Sequence, residues 1–223
     1  MASLIAFDLD DTLYKEMDYV ASGYRTVAAE LARATGADAR TLFEIISANR
    51  PLGFEAALEY LGEPAPMSVD DMIEIYRAHT PDIQLDGETA GVLAELQRRG
   101  HRLMLITDGS PRHQGAKIRA LGLDRFFAPE DILISQVTGG DKFTTVPTDI
   151  ADARARRDGI SRRYYVGDNL AKDFLWPNRR GWTSVMLLDS AGRNVFPQDI
   201  LAAPAEYRPK TVIDNLQSLL NIP

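Results

Sequence analysis

The chain has 223 residues, 45% hydrophobic and 26% charged, a balance that suits one ordinary or two small globular domains and excludes wholesale disorder or a fibrous fold. Lys plus Arg number 25 against 32 Asp plus Glu. The formal charge of -7 argues against nucleic acid or an anionic membrane as partner but leaves small anionic substrates open. With no cysteine there are no disulfides, thiolate nucleophiles or Cys-ligated metals, and His79, His101 and His113 are too dispersed for a His-rich metal site.

The N-terminal run to Asp8 lacks the basic start of a signal peptide, and no apolar stretch approaches the ~18–20 residues of a membrane span, so a cytoplasmic protein is expected. Ser3–Asp8 reads as a buried strand ending in acid. From Tyr14 to Leu85 the pattern is helical throughout, over Met17–Ala34, Ala37–Ala48, Phe54–Leu61 and Val69–His79, with Ser68 and Asp71 spaced as a capping box. Beyond it, short apolar strands alternate with amphipathic helices. Strands are expected at Arg102–Thr107, Ile132–Ile134, Tyr164–Val166 and Thr183–Leu188. Helices are expected at Glu88–Arg99 (with Asp86 as N-cap), Arg112–Leu121, Thr148–Asp158, Leu170–Arg180 and Val212–Leu220. The fold class is therefore α/β: a Rossmann-like parallel sheet flanked by helices, with an inserted all-α domain. The expected division is 1–13 with 86–223 for the core and 14–85 for the insert.

In such sheets ligands bind beyond the C-terminal strand ends, and those ends carry the chemistry here. The first strand runs into Asp8, Asp10 and Asp11. Three carboxylates in four residues repel one another. Either they form a solvated turn with an Asp cap, or they hold a divalent cation, and hard oxygen ligands suit Mg2+. The fourth strand ends in Gly167-Asp168, with Asp173 expected in the first helical turn beyond, where an acid suits the helix dipole. The second strand ends in Thr107-Asp108-Gly109-Ser110, a hydroxyl and Gly turn before a helix N-terminus. That arrangement can cap the helix or grip a phosphate. Lys142, after the third strand, can bring positive charge to the same edge or stand as a surface lysine.

Taken in order, Asp8-x-Asp10-x-Thr12, Thr107, Lys142 and Gly167-Asp168-x4-Asp173 resemble the four motifs of the haloacid dehalogenase superfamily, and the helical insert resembles its C1-type cap. The resemblance implies a phosphatase in which Asp8 is the nucleophile and Asp10 first a general acid and then a base. Mg2+ would sit at the Asp8 carboxylate, the Asp10 backbone carbonyl and Asp168. It implies that Thr107, Lys142 and the backbone N–H groups of Asp108 and Gly109 hold the phosphoryl oxygens, and that Asp173 orients Lys142 or a metal-bound water. Phe143 follows Lys142 where family members often carry Pro, so Lys172 is the alternative phosphate lysine. Asp10 as an acid implies a raised pKa, and its presence favours phosphoryl over dehalogenase chemistry, because a leaving halide needs no proton.

In the cap, Tyr19, Arg25 and Arg50 are candidate substrate contacts. The expected partner is a small phosphorylated metabolite such as a sugar phosphate, a nucleoside monophosphate or a phosphoglycolate-like ester, with the protein a monomer or homodimer. The alternatives are a phosphomutase of the β-phosphoglucomutase type and a phospho-Asp signalling or binding module.

Overall fold

β1 (Ser3–Phe7) is buried at every position, as an apolar run must be when both faces of its sheet are covered. In the computed structural model, which describes residues 2–221, it is followed by four helices. These are α1 (Glu16–Thr35), α2 (Ala39–Ala48), α3 (Gly53–Leu61) and α4 (Val69–Ala78). Alternation then begins with α5 (Gly87–Arg98), β2 (Arg102–Thr107), α6 (Pro111–Ala120), β3 (Ile132–Ile134) and the single turn α7 (Ser135–Thr138). It continues through α8 (Val146–Arg157), β4 (Arg162–Gly167), α9 (Leu175–Arg179), β5 (Thr183–Leu187) and β6 (Thr211–Ile213).

Among the described residues the strands form one six-stranded parallel sheet in the order β3-β2-β1-β4-β5-β6. This is the Rossmann order, in which the chain reverses direction beside β1 and leaves a crevice at the strand ends. Register then fixes the neighbours. Phe7 pairs with Leu105 and with Val166, so the residues after β1, β2 and β4 emerge side by side.

The chain packs as two compact units, one of residues up to Glu16 with those from Gln84 onward, the other Met17–Ile83. In the α/β unit Leu4, Met104, Ile106, Phe174, Trp182 and Met186 share a core, and the Trp182 indole donates to Asp152 at 3.0 Å. Asp86 caps α5 by accepting from the Thr89 N–H at 2.7 Å. In the helical unit Val27, Ala28 and Leu31 of α1 meet Leu42 and Ile46 of α2, Ala57 of α3 and Met72 of α4. Ser68 and Asp71 form the reciprocal capping box that opens α4.

Two sequence expectations are corrected. Thr211–Ile213 is a sixth strand followed by a 3-10 turn over Leu216–Asn221, not a helix from Val212. The β-branched triplet prefers the pleated edge beside β5 over the helix that the later leucines suggested. The helix expected over Leu170–Arg180 is confined to Leu175–Arg179, because the Pro177 ring would clash with the carbonyl four residues earlier. Trp176 on α9 is half-buried, its indole N–H donating to the Phe143 carbonyl at 2.9 Å.

Gly53 opens α3 so close to α2 that a Cβ would lie 2.2 Å from the Ile46 carbonyl oxygen. Gly53→Ala should therefore destabilise the helical unit by about 1–3 kcal/mol through forced separation of α2 and α3. Urea denaturation followed by circular dichroism checks this; an unchanged midpoint would contradict the close packing.

Candidate active site

Asp8 follows β1 directly, and its N–H continues the ladder to the Val166 carbonyl at 2.9 Å. The residue is 3% exposed, and its side chain accepts from the Leu9 N–H at 2.6 Å and is ion-paired with the Lys142 ammonium. Lys142 is itself buried and makes a second pair with Asp173 at 2.8 Å. Asp173 is saturated. One oxygen accepts from Lys142 and from the Tyr165 hydroxyl at 3.2 Å, the other from the N–H groups of Asp168 and Asn169 at 3.1 and 2.8 Å. It therefore lies in the turn before α9, capping the β4 end, rather than in a first helical turn. Gly167 makes room for it, since a Cβ there would stand 2.5 Å from the Asp173 oxygen.

Electrostatics follow from this crowding. Burial pushes the Asp8 carboxyl up to about 7 despite the attraction of Lys142, with Asp173 adding repulsion. Burial likewise raises Asp168 to about 8, with the charges of Asp173 and Asp8 in support. Burial opposes the charge on Lys142, but Asp173 and Asp8 together hold its ammonium pKa well above the ordinary lysine value. Asp8, Asp168 and Asp173 each bring an oxygen within 4.8 Å of the others. Three carboxylates against one ammonium leave a deficit that a hard divalent cation would balance, so the donor set fits Mg2+. Because both Asp173 oxygens are engaged, Asp8 and Asp168 are the side chains fitted to hold it. Asp168 is steadied by the Asn194 amide at 3.0 Å and, through its carbonyl, by Gln198 at 3.0 Å.

The other strand-end acids have separate settings. Asp11, at φ 56°, accepts from the N–H groups of Glu16 and Val195 at 3.0 and 2.7 Å and braces the turn. Asp10 accepts from Lys117 at 2.7 Å, from the Tyr14 hydroxyl and from Gln114 at 3.1 Å. Burial is the largest influence and would raise its pKa, but Lys117, Tyr14 and Gln114 together outweigh it, and the carboxyl sits below its ordinary value. The raised pKa expected for Asp10 is thus overturned by a lysine that sequence reasoning passed over.

Thr107, 1% exposed, has its oxygen 2.5 Å from the Gln114 amide nitrogen. The Gly109 N–H donates to the Ser135 hydroxyl at 2.9 Å, so it is committed and is not a phosphate donor in this arrangement. Asp108 accepts from the Lys142 backbone N–H at 3.2 Å. Lys172 lies 3.8 Å from Asp108 and is a quarter exposed, whereas Lys142 lies between Asp8 and Asp173.

The cap candidates have three different environments within their own unit. Tyr19 is buried, its ring 4.8 Å from that of His79 and 6.1 Å from that of Tyr76. Arg25 is exposed, above the Phe43 ring at 5.9 Å. Arg50 is exposed and touches the Met17 sulfur at 2.7 Å.

Sequence reasoning missed Gln114, Lys117 and Tyr165. A signal for the first two existed: Gln114, Lys117, Ile118 and Leu121 fall at the spacing of one inward helix face, where a Gln and a Lys are out of place. Tyr165 sits beside Tyr164 in the buried half of its strand and gave no such signal.

A profile described as haloacid dehalogenase-like hydrolase matches residues 2–174. The chain belongs to the haloacid dehalogenase-like hydrolases. It is 26% identical to a glyceraldehyde 3-phosphate phosphatase of Methanopyrus kandleri over 236 residues, covering 98% of this chain and 99% of that protein. It is 28% identical to a ribulose-1,5-bisphosphate 5-phosphatase of Halopiger xanaduensis over 251 residues, covering 100% and 99%. Among solved structures, the HAD-hydrolase YfnB of Bacillus subtilis bound to magnesium superposes with a TM-score of 0.64. At 20% identity and 99% and 98% coverage, it shares the fold. This haloacid dehalogenase-like hydrolase has, among its described residues, no helix long and apolar enough to cross a membrane.

Gly167→Ala should push Asp173 off its two N–H donors and loosen Lys142. Thermal denaturation is expected to show a loss of about 1–3 kcal/mol. A variant as stable as the wild type would mean that the β4 end relaxes without cost.

Proposed function

We propose that the protein is a Mg2+-dependent phosphatase of a small phosphorylated metabolite, acting through an aspartyl-phosphate on Asp8. The observation that carries this is the Asp8 carboxylate at the sheet's switch point, buried and paired with the Lys142 ammonium. A carboxylate attacks a phosphate ester only when the mutual repulsion is cancelled. Lys142 supplies part of that charge and can hold a phosphoryl oxygen as it transfers. When bound at Asp8 and Asp168, Mg2+ would supply the remaining charge neutralisation. The Thr107 hydroxyl is the second phosphoryl ligand.

Asp10 serves the departing alkoxide and then the attacking water. Seated by Lys117 it is ionised, the form that takes a proton from water. The proton that it takes from the attacking water in one turnover is the one that it gives to the leaving oxygen in the next. The relatives' substrates, named as glyceraldehyde 3-phosphate and ribulose-1,5-bisphosphate, support a small sugar phosphate over the other esters considered. Tyr19, Arg25 and Arg50 remain the cap positions proposed to meet it, and Asp173 the group that orients Lys142.

Phosphate release from p-nitrophenyl phosphate with and without Mg2+ tests this directly. Wild type should turn over only with the metal, and Asp8→Asn should lose more than about a thousandfold in kcat. A panel of phosphorylated metabolites then ranks substrates. No turnover on the ester or the panel, or full activity in Asp8→Asn, would sink the proposal.

The metal has its own readout. Millimolar Mg2+ should raise the wild-type melting temperature, because it binds only the folded site. In Asp168→Asn that rise should vanish, while the metal-free variant should be no less stable than metal-free wild type, one clustered charge having been removed. A preserved Mg2+ shift in Asp168→Asn would remove Asp168 from the metal site.

A further inference from the structure

Lys117 is a buried lysine to which the phosphoryl-transfer steps above give no part. Only 5% exposed, it directs its ammonium from α6 to one Asp10 oxygen at 2.7 Å. One helical turn earlier Gln114, 3% exposed, reaches the other Asp10 oxygen at 3.1 Å. A buried ammonium is costly unless its partner is well placed, so α6 grips both oxygens of one carboxylate.

Gln114 has a second task. Its amide nitrogen also lies 2.5 Å from the Thr107 hydroxyl oxygen and 2.8 Å from the Asp108 carbonyl. A carbonyl and a carboxylate accept and cannot donate, so the group facing them must be the NH2 end of the amide. The NH2 has two hydrogens for these three acceptors, so one of them is shared, and because an amide nitrogen does not accept, the Thr107 hydrogen is not spent on Gln114. That hydrogen is turned elsewhere, available to a phosphoryl oxygen at Asp8.

We propose that Lys117 and Gln114 are positioning residues for phosphoryl transfer: Lys117 seats the Asp10 carboxylate, and Gln114 ties that seat to a donor-oriented Thr107. The inference rests on the phosphatase reading. A side chain present only to fill the core would act independently of Asp10 and Thr107, and a positioning residue would not.

The test is a pair of double-mutant cycles on p-nitrophenyl phosphate with Mg2+, each variant's melting temperature recorded beside its kinetics. Lys117→Met keeps the length and removes the charge. In the wild-type background it should lower kcat about tenfold or more with KM within about twofold, since a misplaced acid–base group costs turnover rather than binding. In the Asp10→Asn background the same change should alter kcat by less than about twofold, because the group that it positions is gone. Gln114→Met provides the second cycle should Lys117→Met fold poorly. It should raise the inhibition constant for inorganic phosphate in wild type and leave it unchanged in Thr107→Val. Equal losses in both backgrounds overturn the inference while leaving the phosphatase reading intact. Wild type without metal-dependent turnover overturns that reading and this one with it.

Discussion

The Lys142 ammonium lets three carboxylates share the buried end of the sheet. Each of Asp8, Asp168 and Asp173 would be expensive to ionise there alone. Lys142 pairs with two of them, and the polypeptide satisfies Asp173 outright through two backbone N–H groups and a tyrosine hydroxyl. The geometry follows from that pairing. Lys142 enters from the loop after α7 and needs Asp173 to hold it, Asp173 needs Gly167 to be without a side chain, and Gly167 pairs across to Met186. The Asp8 carboxylate is thus held by a chain of contacts that reaches as far as β5.

A second lysine treats its carboxylate differently. Asp8 and Asp10 are two residues apart, yet burial and like charges lift Asp8 to about 7 while Lys117 keeps Asp10 below its ordinary value. Opposite environments on neighbouring acids suit them to the two different parts proposed for them, attack and proton transfer. Lys142 answers to two acids and serves charge balance. Lys117 belongs to a helix and serves orientation.

Much of this was legible in the sequence, for identifiable reasons. Arg102–Thr107, an inner strand, and Ile132–Ile134, the short strand at one edge, are both near-continuous apolar runs and so could be bounded to the residue. The helix starts at Asp86 and Ser68 were marked by side chains whose only good use is capping. Asp8, Thr107, Lys142 and Asp168 each had a capping, turn or surface reading, and stood out only because together, in chain order, they resemble the four motifs of the haloacid dehalogenase superfamily. The sixth strand was hidden because Thr211–Ile213 is short, exposed and followed by leucines at helical spacing. The Asp10 environment was hidden because it depends on a lysine 107 positions away, and charge pairing across that separation leaves no local pattern.

The placement of β1 has a consequence for how the molecule comes into being. The strand is made first and lies innermost, but its partners begin at Arg102 and Arg162. The helical unit, Met17–Ile83, fills most of the first gap with contacts between consecutive helices, which form quickly and without help from the sheet. On a growing chain it can therefore fold while β1 still waits, unpaired and apolar, for β2 and β4. Because Asp8, Thr107, Lys142 and Asp173 come from segments joined only when the sheet closes, the chemical centre is among the last parts to exist. A nascent or truncated chain that stops short of β4 would carry a formed helical unit and no active site.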